Sequence, residues 1–351
     1  MSRSLDKDLL AQLKADDPNR VYKDISTILT DLPDDELLEI EFLGKSHPLE
    51  SGVNYLRDGA AVAIPKLRLA QAFFVARQVL QNYREGSPAN DNEILAATAV
   101  VLLMDPEHLT AANTRKRLLM SLLKTSERGE LMLRREKQFV DSFITSRLHR
   151  HTKSPTLWSH RCWLLHLSRA HGAFIDLKYE IKNVIVTAGI RHPRNYTAWN
   201  HARLLLDLCP GHVGAIITDI KDFCLKNHTD ISGWSFLIHT ISRLGDGDIR
   251  RKICSSIFAE VLVIADSLRW TNTSVWVFLR SVAASDLIND QQFASFLTVS
   301  KKLVSITPKD SDQRRILDSA RQWCENRRFP AVSGVAGWNG ISSTGVANSN
   351  I

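Results

Sequence analysis

Long apolar runs are the first thing these 351 residues lack. The longest mainly apolar stretch, Ile94–Met104, falls well short of the ~20 residues a membrane-spanning helix needs. A secretory leader is not expected, because Met1-Ser2-Arg3-Ser4-Leu5-Asp6 has an acid where an apolar core belongs. The expectation is a cytoplasmic protein with no transmembrane segment. Cysteines are few and odd in number (Cys162, Cys209, Cys224, Cys254, Cys324), and none stand as Cys-x-x-Cys. That spacing argues against a disulfide framework and against a zinc site, and predicts buried thiols. No prenylatable cysteine motif closes the sequence. Strand signals are scarce, with no Asn-Gly or Asp-Gly turn found between alternating apolar runs. Neither a Gly-x-Ser-x-Gly elbow nor a Walker loop is present, which leaves serine hydrolysis and P-loop chemistry without support.

What is present is globular: 44% hydrophobic and 24% charged residues, with only 16 Gly and 11 Pro. Length alone allows two domains. The charge is uneven. Residues 1–60 hold thirteen acids and seven bases, so the basic surplus of the whole chain, formally +7, resides in the remainder. Such a body suits nucleic acid, phosphate or an acidic protein surface, and charge does not choose among them. Helical periodicity is plentiful, as in Ile181, Val184, Ile185 and Ala188, and again in Ile257, Val261, Ile264 and Leu268. Over 131–149 it sets Leu131, Phe139, Phe143 and Leu148 near one side, with Arg134, Arg135, Lys137 and Asp141 around the rest. Turn signals such as Lys153-Ser154-Pro155, Pro210-Gly211 and Thr307-Pro308 punctuate helices of roughly 13–22 residues. The expected division is an N-terminal acidic arm (1–60), a helical-hairpin domain (61–328) and a Gly/Ser/Asn-rich flexible tail (329–351).

The tryptophans repeat. Trp158, Trp199, Trp234 and Trp276 each follow a turn by a few residues, and Ala112 takes the same place in a degenerate first copy. The intervals are 46, 41, 35 and 42 residues, the length of one helical hairpin. A further unit starts near Thr307-Pro308-Lys309-Asp310. Ser154 and Asn195 are good N-caps, and Pro155 fits the first helical position. Each Trp then lies one turn in, filling the gap between neighbouring hairpins. Arg161, three residues after Trp158, can pack on the ring or pair across units. Trp158, Arg161, Trp199, Trp234 and Trp276 are therefore read as structural.

The segments Lys153–Trp163 and Pro193–Arg203, with their Pro-Arg-Asn-Tyr-x-x-Trp-x-His character, resemble the protein prenyltransferase α-subunit repeat family, nearest to its divergent repeat-containing members. The resemblance covers residues 91–326, with departures: Ala202 and Leu237 replace the usual Arg, and Ser154-Pro155 replace Asn-Tyr. It implies an all-α, right-handed superhelical array of about five to six hairpins around a β-subunit. That subunit would hold the zinc, so this chain would carry no cofactor. The implied partners are the β-subunit, an isoprenoid diphosphate and a cysteine-bearing acceptor protein, without nucleic acid. Lys153 and Tyr196 carry over as catalytic positions, and Arg194 and Asn195 as substrate-facing ones.

Lys153 and Arg194 attract notice on other grounds too. Each precedes a helix N-terminus, where free N–H groups favour an anion. Two such cations in adjacent hairpins would make a diphosphate cradle; equally, they are ordinary exposed loop cations. His160 and His201 share the place two residues after Trp but lack metal-ligand spacing. The basic segment from Arg134 to Arg150 lacks interleaved exposed aromatics, so a solvated face or an acidic partner surface suits it better than RNA. Two functions follow as expectations. One is the α-type subunit of a heterodimeric protein prenyltransferase, of geranylgeranyl type. The other is a non-enzymatic helical scaffold that has lost that pairing.

Overall fold

The computed structural model describes residues 17–328, apart from 33–35, 45–46, 48, 51 and 126–128. The tail expected over 329–351 and the first sixteen residues of the acidic arm lie outside the described residues. Asp17 starts the first helix, α1 (Pro18–Thr30), by accepting from the amides of Asn19 and Arg20, with Pro18 at the first helical position. Strands β1 (Glu39–Leu43), β2 (Leu56–Asp58) and β3 (Ala61–Pro65) follow, and then α2 (Lys66–Arg84) and α3 (Asp91–Met104). The rest is helical: α4 (Leu109–Thr125), α5 (Gly129–Ile144), α6 (His149–Thr152), α7 (Pro155–Ala170), α8 (Leu177–Tyr179), α9 (Thr187–Arg191) and α10 (Tyr196–Leu208). Beyond these lie α11 (Ile217–Lys226), α12 (Ile231–Ser242), α13 (Gly247–Ser267), α14 (Thr273–Ala283), α15 (Asp290–Ile306) and α16 (Asp312–Arg328).

The chain is mostly helical, but the all-α expectation needs correction. The strands form one sheet in the order β1-β3-β2, with β3 parallel to β1 and antiparallel to β2. Ile40 pairs with Val62 and Phe42 with Ile64; Ile40, Val62 and Ile64 are buried. The turn between β2 and β3 contains Asp58-Gly59, with Gly59 at φ +57°, a conformation glycine adopts freely. The pair gives no hairpin signal in the sequence because β2 is three exposed residues with no apolar alternation beside it. The boundary expected at residue 60 falls inside the sheet, and β1 is tied to α5 where the Leu38 amide donates to Ser142 Oγ at 3.0 Å.

The first helices of successive units touch in order: α4 with α7, α7 with α10, α10 with α12, and α12 with α14. The apolar periodicity at Ile181, Val184, Ile185 and Ala188 is buried as expected, although a π-helical turn, Glu180–Val186, leads into α9. Two face assignments fail in part. Leu268, expected on the apolar side with Ile257 and Val261, is 62% exposed. Leu131 is exposed, while Asp141, expected among the outer polar residues, is 1% exposed. A buried cation explains the inversion, described next.

Candidate functional site

Turns aligned along one edge of the helical layer carry most of the residues singled out by sequence. Ser154 caps α7 by accepting from the Leu157 amide, and its hydroxyl donates to Pro106 O in the preceding turn at 3.1 Å. Asn195 caps α10 through the Ala198 amide and donates from Nδ2 to Thr152 O at 2.9 Å. Asp230 caps α12 and also accepts from the Arg194 amide at 2.8 Å. Ser274 donates to Thr229 O at 2.9 Å. Each turn is thus stitched to a neighbouring unit by a polar group from a helix start or the turn before it.

The tryptophans sit just inside this edge. The indole N–H of Trp158 donates to Thr152 O (2.8 Å), that of Trp234 to His228 O (3.0 Å), and that of Trp276 to Trp270 O (2.7 Å), six residues back each time. Trp199 is the exception, since its Nε1 is buried without a partner. Arg194 adopts φ +61°, and its N–H points to Asp230 in the next turn. The rings also pack by rule: Trp158 on His201 (5.1 Å between centroids), Trp199 on Phe236 (5.3 Å) and Trp234 on Phe278 (4.8 Å). The partner always lies two residues after the next tryptophan.

Behind them lies a buried ion network. Arg161 pairs across units, the second of the two options the sequence left open. Its Nε donates to Asp141 Oδ1 at 2.6 Å, Nη2 to Glu180, and Nη1 to His201 Nε2 at 2.6 Å. Lys137 Nζ lies 2.7 Å from Asp141 and 2.8 Å from Glu180. Burial pushes the Asp141 carboxyl up, but Arg161 and Lys137 outweigh it and hold the group below its usual range. Burial and the adjacent guanidinium push His201 well down, so it accepts as a neutral ring. Arg115, three residues after Ala112, repeats the arrangement. It holds Glu136 with two hydrogen bonds (2.9 and 2.6 Å), and His160 Nε2 lies 3.1 Å from the same carboxylate. Against burial, Arg115 and His160 keep Glu136 ionised. In the next two units, Ala202 and Leu237 take the Arg place while Phe236 and Phe278 take the His place. Two polar interfaces thus give way to two apolar ones. The Arg115–Glu136 pair was missed because Ala112 hides the register, yet the +3 spacing would have exposed it.

His151 shows how the site's polar groups are committed. Its Nε2 donates to Leu103 O (2.8 Å), with Leu102 O at 3.1 Å, serving the open carbonyls at the end of α3. Nδ1 is buried without a partner. Burial lowers its pKa from 6.5 to about 4. A depressed histidine contributes stability that is complete above the unfolded pKa of 6.5 and is lost as pH falls towards 4. Between those values the fold should lose on the order of 2–3 kcal/mol at this site. Denaturant unfolding at several pH values checks this: His151→Gln should flatten the slope between pH 6.5 and 4, and an unchanged slope rejects the assignment.

Lys153 is half-buried, Arg194 is exposed, Asn195 is buried, and Tyr196 is 67% exposed at the first position of α10. The Asn195–Thr152 bond brings the turns bearing Lys153 and Arg194 side by side. One first-turn amide of each helix, that of Leu157 and that of Ala198, is occupied by its cap. Burial lowers His192, as do the neighbouring cations Lys153 and Arg191. All five cysteines are free; burial pushes Cys254 and Cys324 up to about 12, while Cys162 and Cys209 are only partly buried. Among the described residues, no helix is long and apolar enough to cross a membrane.

Comparison with known proteins does not support the prenyltransferase resemblance. A family model described as the ECM9 middle domain matches residues 157–252, a segment running from α7 into α13 and containing Trp158, Arg161, Trp199 and Trp234. The likeness to the prenyltransferase α-subunit repeat family is thereby overturned: the Pro-Arg-Asn-Tyr-x-x-Trp pattern is what a capped turn followed by a buried ring requires, and many helical hairpins can meet that requirement. No curated protein matches the chain.

Proposed function

We propose that this chain is a cytoplasmic, non-enzymatic helical-repeat scaffold: a right-handed superhelical array of hairpins whose turn edge holds a partner protein. The observation that carries this is the use made of the edge. Its polar groups are spent on stitching turn to turn, while the first positions of α4, α7, α10 and α12 (Leu109, Pro155, Tyr196 and Ile231) are exposed in a row, Leu109 at 64% and Tyr196 at 67%. Aromatic and aliphatic side chains flanked by cations such as Lys153 and Arg194 suit a protein interface. The buried carboxylates support the same reading, because Asp141 and Glu136 are held by structural cations instead of standing ready for proton transfer.

Purification of the tagged chain from its native source, followed by mass spectrometry, should yield a partner in equimolar amount. Tyr196→Ser/Ile231→Ser should weaken that association at least tenfold without moving the melting temperature. A zinc-bearing prenyltransferase β-subunit as that partner, with turnover abolished by Lys153→Ala/Arg194→Ala, would overturn the non-enzymatic assignment. Unchanged association in the Ser variant would remove the edge from it.

A further inference from the structure

Carboxylates are almost missing from one set of helices. Across α4, α7, α10, α12 and α14 the only acid is Asp207. The helices between them carry many, including Glu130, Glu136 and Asp141 on α5 and Asp248, Glu260 and Asp266 on α13. Exposed helix surface ordinarily mixes both signs. The imbalance is greatest between α4 and α7, where Lys116, Arg117, Met120, Ser121, Lys124 and Trp163 line a groove of about 350 Å³.

None of the three cations there meets a carboxylate among the described residues. Arg117 donates to Thr114 Oγ1 at 3.2 Å, and the Lys116 ammonium lies 5.5 Å from the centre of the Trp163 ring. Burial lowers Lys116, against a smaller opposing effect of Cys162, and no carboxylate among the described residues pairs with it. An anionic partner would supply one. The ring chooses among anions. The Lys116 ammonium stands over the Trp163 ring, where a nucleic-acid base would have to stack, and so disfavours a base on that face. Met120 is exposed beside it and offers an adaptable apolar wall.

We propose that this groove docks an acidic linear segment of a partner protein, its carboxylates meeting Lys116, Arg117 and Lys124 and an apolar side chain resting on Met120 and Trp163. The groove occupies the later turns of α4 and the middle of α7, away from the row of first-position residues, and does not depend on that row being an interface.

The test uses the full chain and a fluorescein-labelled synthetic peptide rich in glutamate and carrying leucines, followed by anisotropy. Arg117→Glu/Lys124→Glu, two exposed positions, should weaken binding at least tenfold with an unchanged melting temperature, whereas Arg251→Glu on α13 should leave it unaltered. Binding should fall steeply with added salt. Bound peptide should also protect Lys116 and Lys124 from acetylation, a readout that needs no variant to fold. Equal affinity in the charge-reversed protein, or no protection of the two lysines, overturns the proposal. So does tighter binding of single-stranded oligothymidylate lost in the same variant, which would make the groove a nucleic-acid site.

Discussion

Replacing Arg161 by alanine should lower the unfolding free energy by about 3–5 kcal/mol, among the largest single-residue losses available in this chain. Asp141 and Glu180 are both nearly fully buried, and both lean on this guanidinium. Without it, Lys137 alone would face two carboxylates in a site closed to water. The side chain itself is 0% exposed, so its stem leaves a gap as well. Removing one partner of a buried ion pair costs far more than the pair contributes, because the survivors remain charged and dry. The contrasting variant therefore matters. Arg161→Leu with Asp141→Leu, Glu180→Leu, Lys137→Leu and His201→Phe imitates the apolar interface in which Leu237 takes the Arg place, and should recover most of the loss. Chemical denaturation of both proteins checks the pair of expectations. If the single alanine variant unfolds within about 1 kcal/mol of the parent, the network is not the structural element described above.

Trp276→Ala is expected to cost a similar 3–5 kcal/mol. The ring is fully buried, packs on Phe296 at 5.6 Å, and its N–H serves Trp270 O. Truncation removes the packing area, opens a cavity between α14 and α15, and strands a carbonyl. A phenylalanine series separates these terms. Trp158→Phe, Trp234→Phe and Trp276→Phe each lose one indole hydrogen bond, worth about 0.5–1.5 kcal/mol. Trp199→Phe loses none, because its N–H has no partner. It should be the mildest of the four by thermal or denaturant melts. An equal penalty at all four positions would mean that ring volume alone sets the cost.

The two expectations bear on how a unit is assembled. Trp at its fixed place and the residue two positions after the next Trp form one contact, repeated from Trp158–His201 to Trp234–Phe278. The residue at +3 then decides whether the interface beyond is ionic or oily. Two ionic interfaces precede the apolar ones, and the family match over 157–252 spans the change. Acid should therefore strike the first half of the array harder, since Glu136, Asp141, His151 and His201 all have depressed pKa values there.

Much of the architecture was legible in the residues. Trp at hairpin intervals, Ser154 and Asn195 before helix starts, and apolar residues at 3.6-residue periodicity act locally, through caps and faces that need no knowledge of the rest of the chain. The same local logic misled in one place: a capped turn followed by a buried Trp imitated the signature of another family. What tertiary structure alone decided are the pairings of distant groups. Asp141 turned inward because Arg161, twenty residues on, needed a counter-ion, and periodicity cannot see that. The sheet formed because β1 found β3 across a loop, with only Asp58-Gly59 to announce it. The basic surplus with which the body began acquired an address only when α4 and α7 were laid side by side, since spacing along a chain does not say which cations will share a groove.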